Sequence, residues 1–522
     1  MFNKMNHKFI EVLIVIFAFL GSITFYYSNP DQFVSDDSLF YVVIAQHFLE
    51  TGLSTFNGYI ETNGYHPLWQ VCNIVAVWFS NTLSVDPLII VGFMYHAFMA
   101  GALYLLYKIN KLMPFFSFSI SSLLLIFLFI ANGTLHNMES ALALFFVLYS
   151  LYYVSKTETV HNLDFFIVGL LLGLTFLSRL DLVFFGMIVA LYIFYKYRNT
   201  LSKEPKSLIY FIVGGLLLVV PYFTYNYLTF GSIAPVSGAL KSSFPVVTFS
   251  WNNLMPYGLV SIVFAVLAFV FAVRNKDKKI KLVLFILSIS TIIHAVYLAL
   301  FQFPMSWYFI TGYLTMVLMI GYLIQKIHIT ILTYFVLLVV WLGIFATSYM
   351  KTISNYTLTS HLLHHGHMVY SKESRKKIMG DALKKILPPK STVFAWDLPG
   401  ALGYYSQWEV FSADGLITNK EYQIELAKEG ARGVFEKYDI EYIAIQLTEG
   451  KWLWYDGMLF EPLANGSYRL TFYSRLLHKK AGTLILHHKD IVGTVPATHN
   501  ESSTIGVFKI PKDAQWMEST EK

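Results

Sequence analysis

Apolar residues run through the first two-thirds of the chain in windows of roughly 14 to 22, separated by short polar loops, and in helical form such a window crosses the hydrocarbon core of a bilayer. The windows fall at 9–27, 87–107, 115–131, 138–154, 163–178, 182–195, 208–227, 254–273, 282–300, 308–324 and 329–350. The shorter ones still reach across when Tyr, Trp and Lys at their ends occupy the interface. The pattern predicts an all-α polytopic membrane domain of about eleven transmembrane helices. Window 9–27 is too long for a signal peptide and no small-residue cleavage pattern follows it, so it reads as a retained first span. Two further stretches, 39–49 and 67–82, read as amphipathic helices lying at the membrane surface.

From Lys351 onward the pattern becomes that of a soluble domain, which holds 21 of the 38 Lys and Arg residues. An amphipathic helix is expected over 371–387, stopped by Pro388-Pro389, and short apolar runs at 392–395, 442–445, 483–486 and 504–510 read as strands. The expected organisation is a membrane domain over 1–350, with a large first loop at 28–86, and a small α/β domain over 351–522.

Lys and Arg sort between alternate loops. One set holds Lys4 and Lys8, Lys108 and Lys111, Lys156, Lys196 to Lys206, Arg274 to Lys281, and Lys326; the other holds only Arg179 and Lys241. Cytoplasmic loops carry the basic excess, so the N-terminus is expected in the cytoplasm and the C-terminal domain outside it. Counting 67–82 as a span would reverse the basic loops. Composition agrees with the windows: 56% apolar residues, 13% charged and a mean hydropathy of +0.54 exclude an ordinary soluble protein. Aromatics at 17% suit helix ends at the headgroups and a site that stacks on ring-shaped ligands. Cys72 is the single cysteine, so no internal disulfide supports the C-terminal domain. The dispersed basic residues form no nucleic-acid-binding face.

This topology brings the unusual polar residues to one side: Asp36 and Asp37 in the first loop, Glu139 after Asn137-Met138, Arg179 with Asp181, Lys241, and Trp307-Tyr308. Ionisable groups at membrane depth are costly unless paired or functional, so their convergence defines a candidate site. Each also has a bland reading. Asp36 and Asp37 could only cap a helix, Glu139 could cap another, Arg179 and Asp181 could form a local ion pair, and His66 could be a turn residue. The functional readings are a general base with a second carboxylate that orients an acceptor or holds a divalent cation such as Mg or Mn, beside cations that bind phosphate. His361, His364, His365 and His367 match no standard zinc spacing and read as a polar turn. Asn465-Gly466-Ser467 is a sequon only in a secretory pathway.

Taken in order, Asp36-Asp37-Ser38-Leu39-Phe40-Tyr41, Asn63-Gly64-Tyr65-His66-Pro67-Leu68-Trp69, Asn137-Met138-Glu139, Ser178-Arg179-Leu180-Asp181 and Phe230-Gly231-Ser232 with Pro235-Val236-Ser237-Gly238 resemble the C-type glycosyltransferase superfamily. That group includes the protein O-mannosyltransferases and the lipid A aminoarabinose transferase. Ala395-Trp396-Asp397, Gly400 and Gly403-Tyr404-Tyr405 extend the likeness into the C-terminal domain. The resemblance implies inverting transfer of a sugar from a polyprenyl-phosphate donor, at the outer membrane face, to a glycan, lipid or protein acceptor. A first-loop aspartate would be the base, Asp36 by position in the motif and Asp37 as the second choice. His66, Glu139, Arg179, Asp181, Lys241, Trp307, Tyr308 and Asp397 are the accompanying substrate-binding candidates. A transporter or flippase of lipid-linked sugars and a non-catalytic sugar-binding scaffold are the competing readings; a transporter would show paired repeats and charges at mid-membrane.

Overall fold

The computed structural model describes residues 2–326, 375–447, 457–496 and 504–518, apart from 29, 33, 132–135, 158–160, 303–304 and 397, with 339, 343 and the backbone at 362–364, 367–369 and 453–455. In chain order the helices of the first part are α1 (Phe2–Ser28), α2 (Asp36–Thr51), α3 (Pro67–Leu83), α4 (Pro87–Leu112), α5 (Phe118–Ile126), α6 (Ser140–Lys156), α7 (Asn162–Ser178), α8 (Val183–Lys196), α9 (Arg198–Lys203), α10 (Lys206–Phe230), α11 (Val236–Lys241), α12 (Tyr257–Arg274), α13 (Lys278–Phe301) and α14 (Ile310–Gln325). Every predicted window up to 308–324 is helical, the 115–131 window passing from α5 into a π-helical turn at Phe127–Ala131. The window 329–350 lies almost wholly outside the described residues. By length and apolarity α4, α10, α12 and α13 can each cross a membrane, and the protein is a multi-pass membrane protein.

Local chemistry explains the boundaries. Ser35 caps α2 by accepting the Ser38 amide, and Asp36 and Asp37 fill its first turn, where carboxylates meet the positive end of the helix dipole. Pro67 and Pro87 open α3 and α4, and Gly231 closes α10 in the left-handed conformation. The helices α7 and α10 meet along a glycine seam. A methyl group on Gly169 would lie 2.1 Å from the Phe211 carbonyl oxygen and one on Gly214 would lie 2.2 Å from that of Phe166, so only glycine permits this approach. The seam fixes the α7 end that carries Arg179.

Among the described residues from Arg375 onward, the C-terminal domain has two five-stranded sheets. The first is ordered Ile491–Pro496, Thr504–Lys509, Tyr442–Leu447, Thr392–Ala395 and Glu409–Ser412, with Thr392–Ala395 parallel to both neighbours. Helices Arg375–Ile386, Pro399–Ser406 and Lys420–Lys437 accompany it. The second sheet is antiparallel and contains the predicted run 483–486 in Lys479–His487.

Contrary to the surface placement expected for 39–49, α2 is buried continuously from Ser38 to Ala45. Leu39, Tyr41, Val42 and Ala45 pack into the membrane-domain core, whereas Phe40, Val43 and Ile44 pack with Met379, Leu383 and Leu402 of the C-terminal domain. A one-sided apolar pattern is absent because both sides of the helix are covered. The seam continues beyond α2. Thr62 donates to the Thr418 carbonyl at 2.7 Å, Asn419 to the Glu61 carbonyl at 2.8 Å, and Tyr405 to Asp31 at 2.8 Å.

Candidate active site

The site lies where α2, the start of α6, the end of α7, α11 and the C-terminal domain meet. Its deepest part is a buried charge cluster. Asn137 adopts a left-handed φ of 57° and donates from Nδ2 to the Tyr26 hydroxyl at 2.7 Å; that hydroxyl donates to the Leu88 carbonyl at 2.8 Å. The anchored turn delivers Glu139, 1% exposed, which does not cap α6 through its side chain. Instead its Oε1 pairs with Arg179 Nη1, and its Oε2 accepts from the Tyr41 hydroxyl at 3.0 Å.

Arg179 is itself 1% exposed and grips Asp181 with two further donors, Nε to Oδ1 at 3.1 Å and Nη2 to Oδ2 at 2.8 Å. The Tyr308 ring lies against the guanidinium, its centre 5.4 Å away. Burial opposes the charge on Asp181, but Arg179 and His294, whose Nε2 is 3.7 Å from Asp181, outweigh it and hold this carboxyl down at about 2. His66 Nδ1 accepts the Leu180 amide at 3.4 Å, which leaves the proton on Nε2, 3.7 Å from Glu139. Burial keeps the His66 pKa below its ordinary value and the ring neutral. The cluster is thus internally paired, with Arg179 serving two carboxylates.

Beside it the two aspartates of α2 part company. Asp36 accepts the Gly400 and Ala401 amides at 3.1 and 2.7 Å, where the helix Pro399–Ser406 begins. Gly400 allows this because a methyl group there would lie 2.3 Å from the Asp36 carbonyl oxygen. Asp37 is half-buried and, among the described residues, has no hydrogen-bond or ion-pair partner. Burial raises its pKa, and nearby Asp414 and Glu139 add to this against the opposing pull of Lys241 and Lys376.

Lys241 ends α11 and likewise has no ion-pair partner among the described residues. Burial would lower its pKa, but Tyr308, Asp37 and Asp414 hold it above the ordinary lysine value, so it stays charged. Arg475, in the turn after the strand Ser467–Ser474 of the second sheet, steadies this end of α11, donating to the Leu240 carbonyl at 3.3 Å and the Asp414 carbonyl at 2.9 Å.

The fold therefore gathers His66, Glu139, Arg179, Asp181 and Tyr308 into one cluster and sets Asp37 and Lys241 beside it. Trp307 packs against the hydrophobic core and, among the described residues, makes no polar contact, and Asp397 lies outside the described residues. Of the histidine tract, only the hairpin backbone Leu362–His364 and His367–Val369 is described. Glu139 commits both oxygens to protein partners, and among the described residues no three His, Cys, Asp or Glu side chains approach closely enough to hold a metal ion. Sequence reasoning missed Tyr41, His294, Lys376, Asp414 and Arg475. A lone histidine inside an apolar span was a signal for His294, whereas the last three come from the C-terminal domain, whose docking no local pattern reveals.

No family model matches the sequence, and no curated protein matches it by sequence. Solved structures do share its fold. The crystal structure of ArnT from Cupriavidus metallidurans bound to undecaprenyl phosphate matches with a TM-score of 0.53 at 9% identity, over 83% of this chain and 93% of that one. The apo state of the same ArnT matches with a TM-score of 0.51 at 9% identity, over 86% and 94%. At this identity the likeness is one of fold.

Proposed function

We propose that a chain with the fold of ArnT, a C-type glycosyltransferase, carrying this site, is a glycosyltransferase that moves a sugar from a polyprenyl-phosphate donor to an acceptor hydroxyl at the outer face of the membrane, with inversion. The observation that carries the reading is that, among the described residues, Asp37 and Lys241 are left without partners beside a cluster whose other charges are paired. An unpartnered charge at such a depth is expensive, and a substrate that brings a hydroxyl and a phosphate supplies both missing partners.

The acceptor hydroxyl gives its proton to Asp37 as its oxygen attacks the anomeric carbon. The bond from that carbon to the phosphate oxygen breaks, and polyprenyl phosphate departs with the electron pair, its charge met by Lys241. A single displacement inverts the anomeric centre. The paired cluster of Glu139, Arg179 and Asp181 holds the floor of the site, with the His66 Nε2 proton and the Tyr308 hydroxyl available to sugar oxygens. The order of the α2 aspartates suggested by motif position is reversed in this reading: Asp37 is the base, and Asp36 anchors the C-terminal domain.

The test is transfer or donor hydrolysis by purified full-length protein given radiolabelled undecaprenyl-phosphate hexoses and pentoses with native membrane extract. Turnover that Asp37→Asn abolishes in a folded protein supports the reading. Undiminished turnover in that variant removes Asp37 as the base.

A further inference from the structure

Lys376 is a lysine that the proposed chemistry does not use, and it is buried to 7% exposure in the first turn of the helix Arg375–Ile386. Its ammonium donates to the Val34 carbonyl, just ahead of α2; burial lowers its pKa below the ordinary lysine value, and the charges of Asp36 and then Asp37 pull the other way. Burying an ammonium is costly, and docking alone does not call for one, because Asp36 already holds the domain through the Gly400 and Ala401 amides.

The charged groups facing Asp37 are Lys241 from α11, Lys376 and Asp414 from the C-terminal domain, and Glu139 at the start of α6. In the free protein two cations oppose two carboxylates. When a lipid phosphate settles on Lys241, that cation is neutralised toward Asp37, and the phosphate adds negative charge of its own. Asp37 would then take up a proton before the acceptor arrived, and a protonated carboxyl cannot act as a base. Lys376, buried against the Val34 carbonyl, is the cation that remains.

We propose that Lys376 is a positioning residue through which the C-terminal domain keeps Asp37 ionised while a phosphate anion occupies Lys241. This rests on the assignment of Asp37 as base and Lys241 as phosphate site. It makes the C-terminal domain a working part of the site, because the charge that sustains the base comes from that domain.

The test is infrared titration of the full-length protein in nanodiscs, with and without undecaprenyl phosphate, following the protonated-carboxyl band that Asp37→Asn removes. Lys376→Gln keeps a donor for the Val34 carbonyl and loses the charge; Lys376→Arg keeps the charge. With undecaprenyl phosphate bound, Lys376→Gln moves the Asp37 midpoint upward by about one pH unit, a tenfold change in the ionised fraction, while Lys376→Arg stays near wild type. An unmoved midpoint in folded Lys376→Gln overturns the proposal, since a purely structural lysine leaves the band in place. If the midpoint moves but Asp37→Asn still turns over undecaprenyl-phosphate sugars, the electrostatic link stands and the base assignment beneath it fails.

Discussion

Asp36 and Asp37 are adjacent in the chain yet answer to different parts of the molecule. Asp36 is fixed on the amides of Gly400 and Ala401, while Asp37 is left without a partner among the described residues, facing Lys241, Asp414, Glu139 and Lys376. Substitution separates the two roles. Asp37→Asn is expected to lower turnover by roughly 10²–10⁴, the usual contribution of a general base, with the thermal midpoint unchanged or raised because an unpartnered charge is gone. Asp36→Ala loses two charge-assisted bonds, each worth about 1.5–3 kcal/mol, so its thermal midpoint falls while its turnover falls far less. Activity and melting measured on both variants decide the assignment, and the opposite pattern returns the base to Asp36.

The pH profile follows from the raised pKa of Asp37. A base works when deprotonated, so turnover is full above the folded pKa and is lost as pH falls through it, at a pH higher than an ordinary aspartate would give. Stability runs the other way. The folded state binds this proton more tightly than the unfolded chain, so on acidification between the folded and unfolded values the protein gains stability from this group. An acid limb of kcat at the ordinary carboxylate value, or one that survives Asp37→Asn, would show that another group is being titrated.

Lys241 is expected to act on the donor more than on the acceptor. Lys241→Met should weaken binding of radiolabelled undecaprenyl phosphate by about 10- to 100-fold, the effect of losing one charge-assisted contact to a phosphate, and Lys241→Arg should restore part of it. Equilibrium binding in detergent measures this without knowledge of the sugar. Binding equal to wild type in Lys241→Met would place the phosphate elsewhere.

The Glu139, Arg179 and Asp181 cluster is a matter of folding before it is one of catalysis. Removing Arg179 leaves carboxylates buried without their cation, and breaking a buried pair from one side costs about 3–5 kcal/mol. Arg179→Met is therefore expected to express poorly and melt early. Arg179→Lys should rescue little, because an ammonium cannot reproduce the forked contact with Asp181 and the bond to Glu139 together. Combining Arg179→Met with Glu139→Gln and Asp181→Asn should recover much of the stability without recovering turnover. A stable single variant would mean that the cluster is not tightly coupled.

The helices were legible because a lipid-facing surface demands long apolar windows, and ten of the eleven fall on helices between Phe2 and Gln325. The convergence of Glu139, Arg179 and Asp181 was legible too, since charges at membrane depth need each other. What the pattern could not convey is what covers α2. The apolar run from Leu39 to Ala45 looks the same whether Phe40 and Ile44 meet lipid headgroups or another domain, and the difference decides which aspartate is free. Lys376 and Arg475 sit among many basic residues of a soluble domain, and only the docked structure singles them out.

Arg475 offers a check on that docking which avoids the reacting groups. Its guanidinium ties the Leu240 and Asp414 carbonyls together, capping the helix end from which Lys241 projects. Arg475→Ala should loosen Lys241 and leave Asp37 in place, so KM for the donor is expected to rise by roughly tenfold, the cost of a hydrogen bond to a charged group, while kcat changes little. Undecaprenyl phosphate binding should weaken in step, whereas the infrared midpoint of Asp37 in the free protein should hold. A fall in kcat at constant KM would instead mean that Arg475 acts in the transition state, and the C-terminal domain would then reach the leaving phosphate itself.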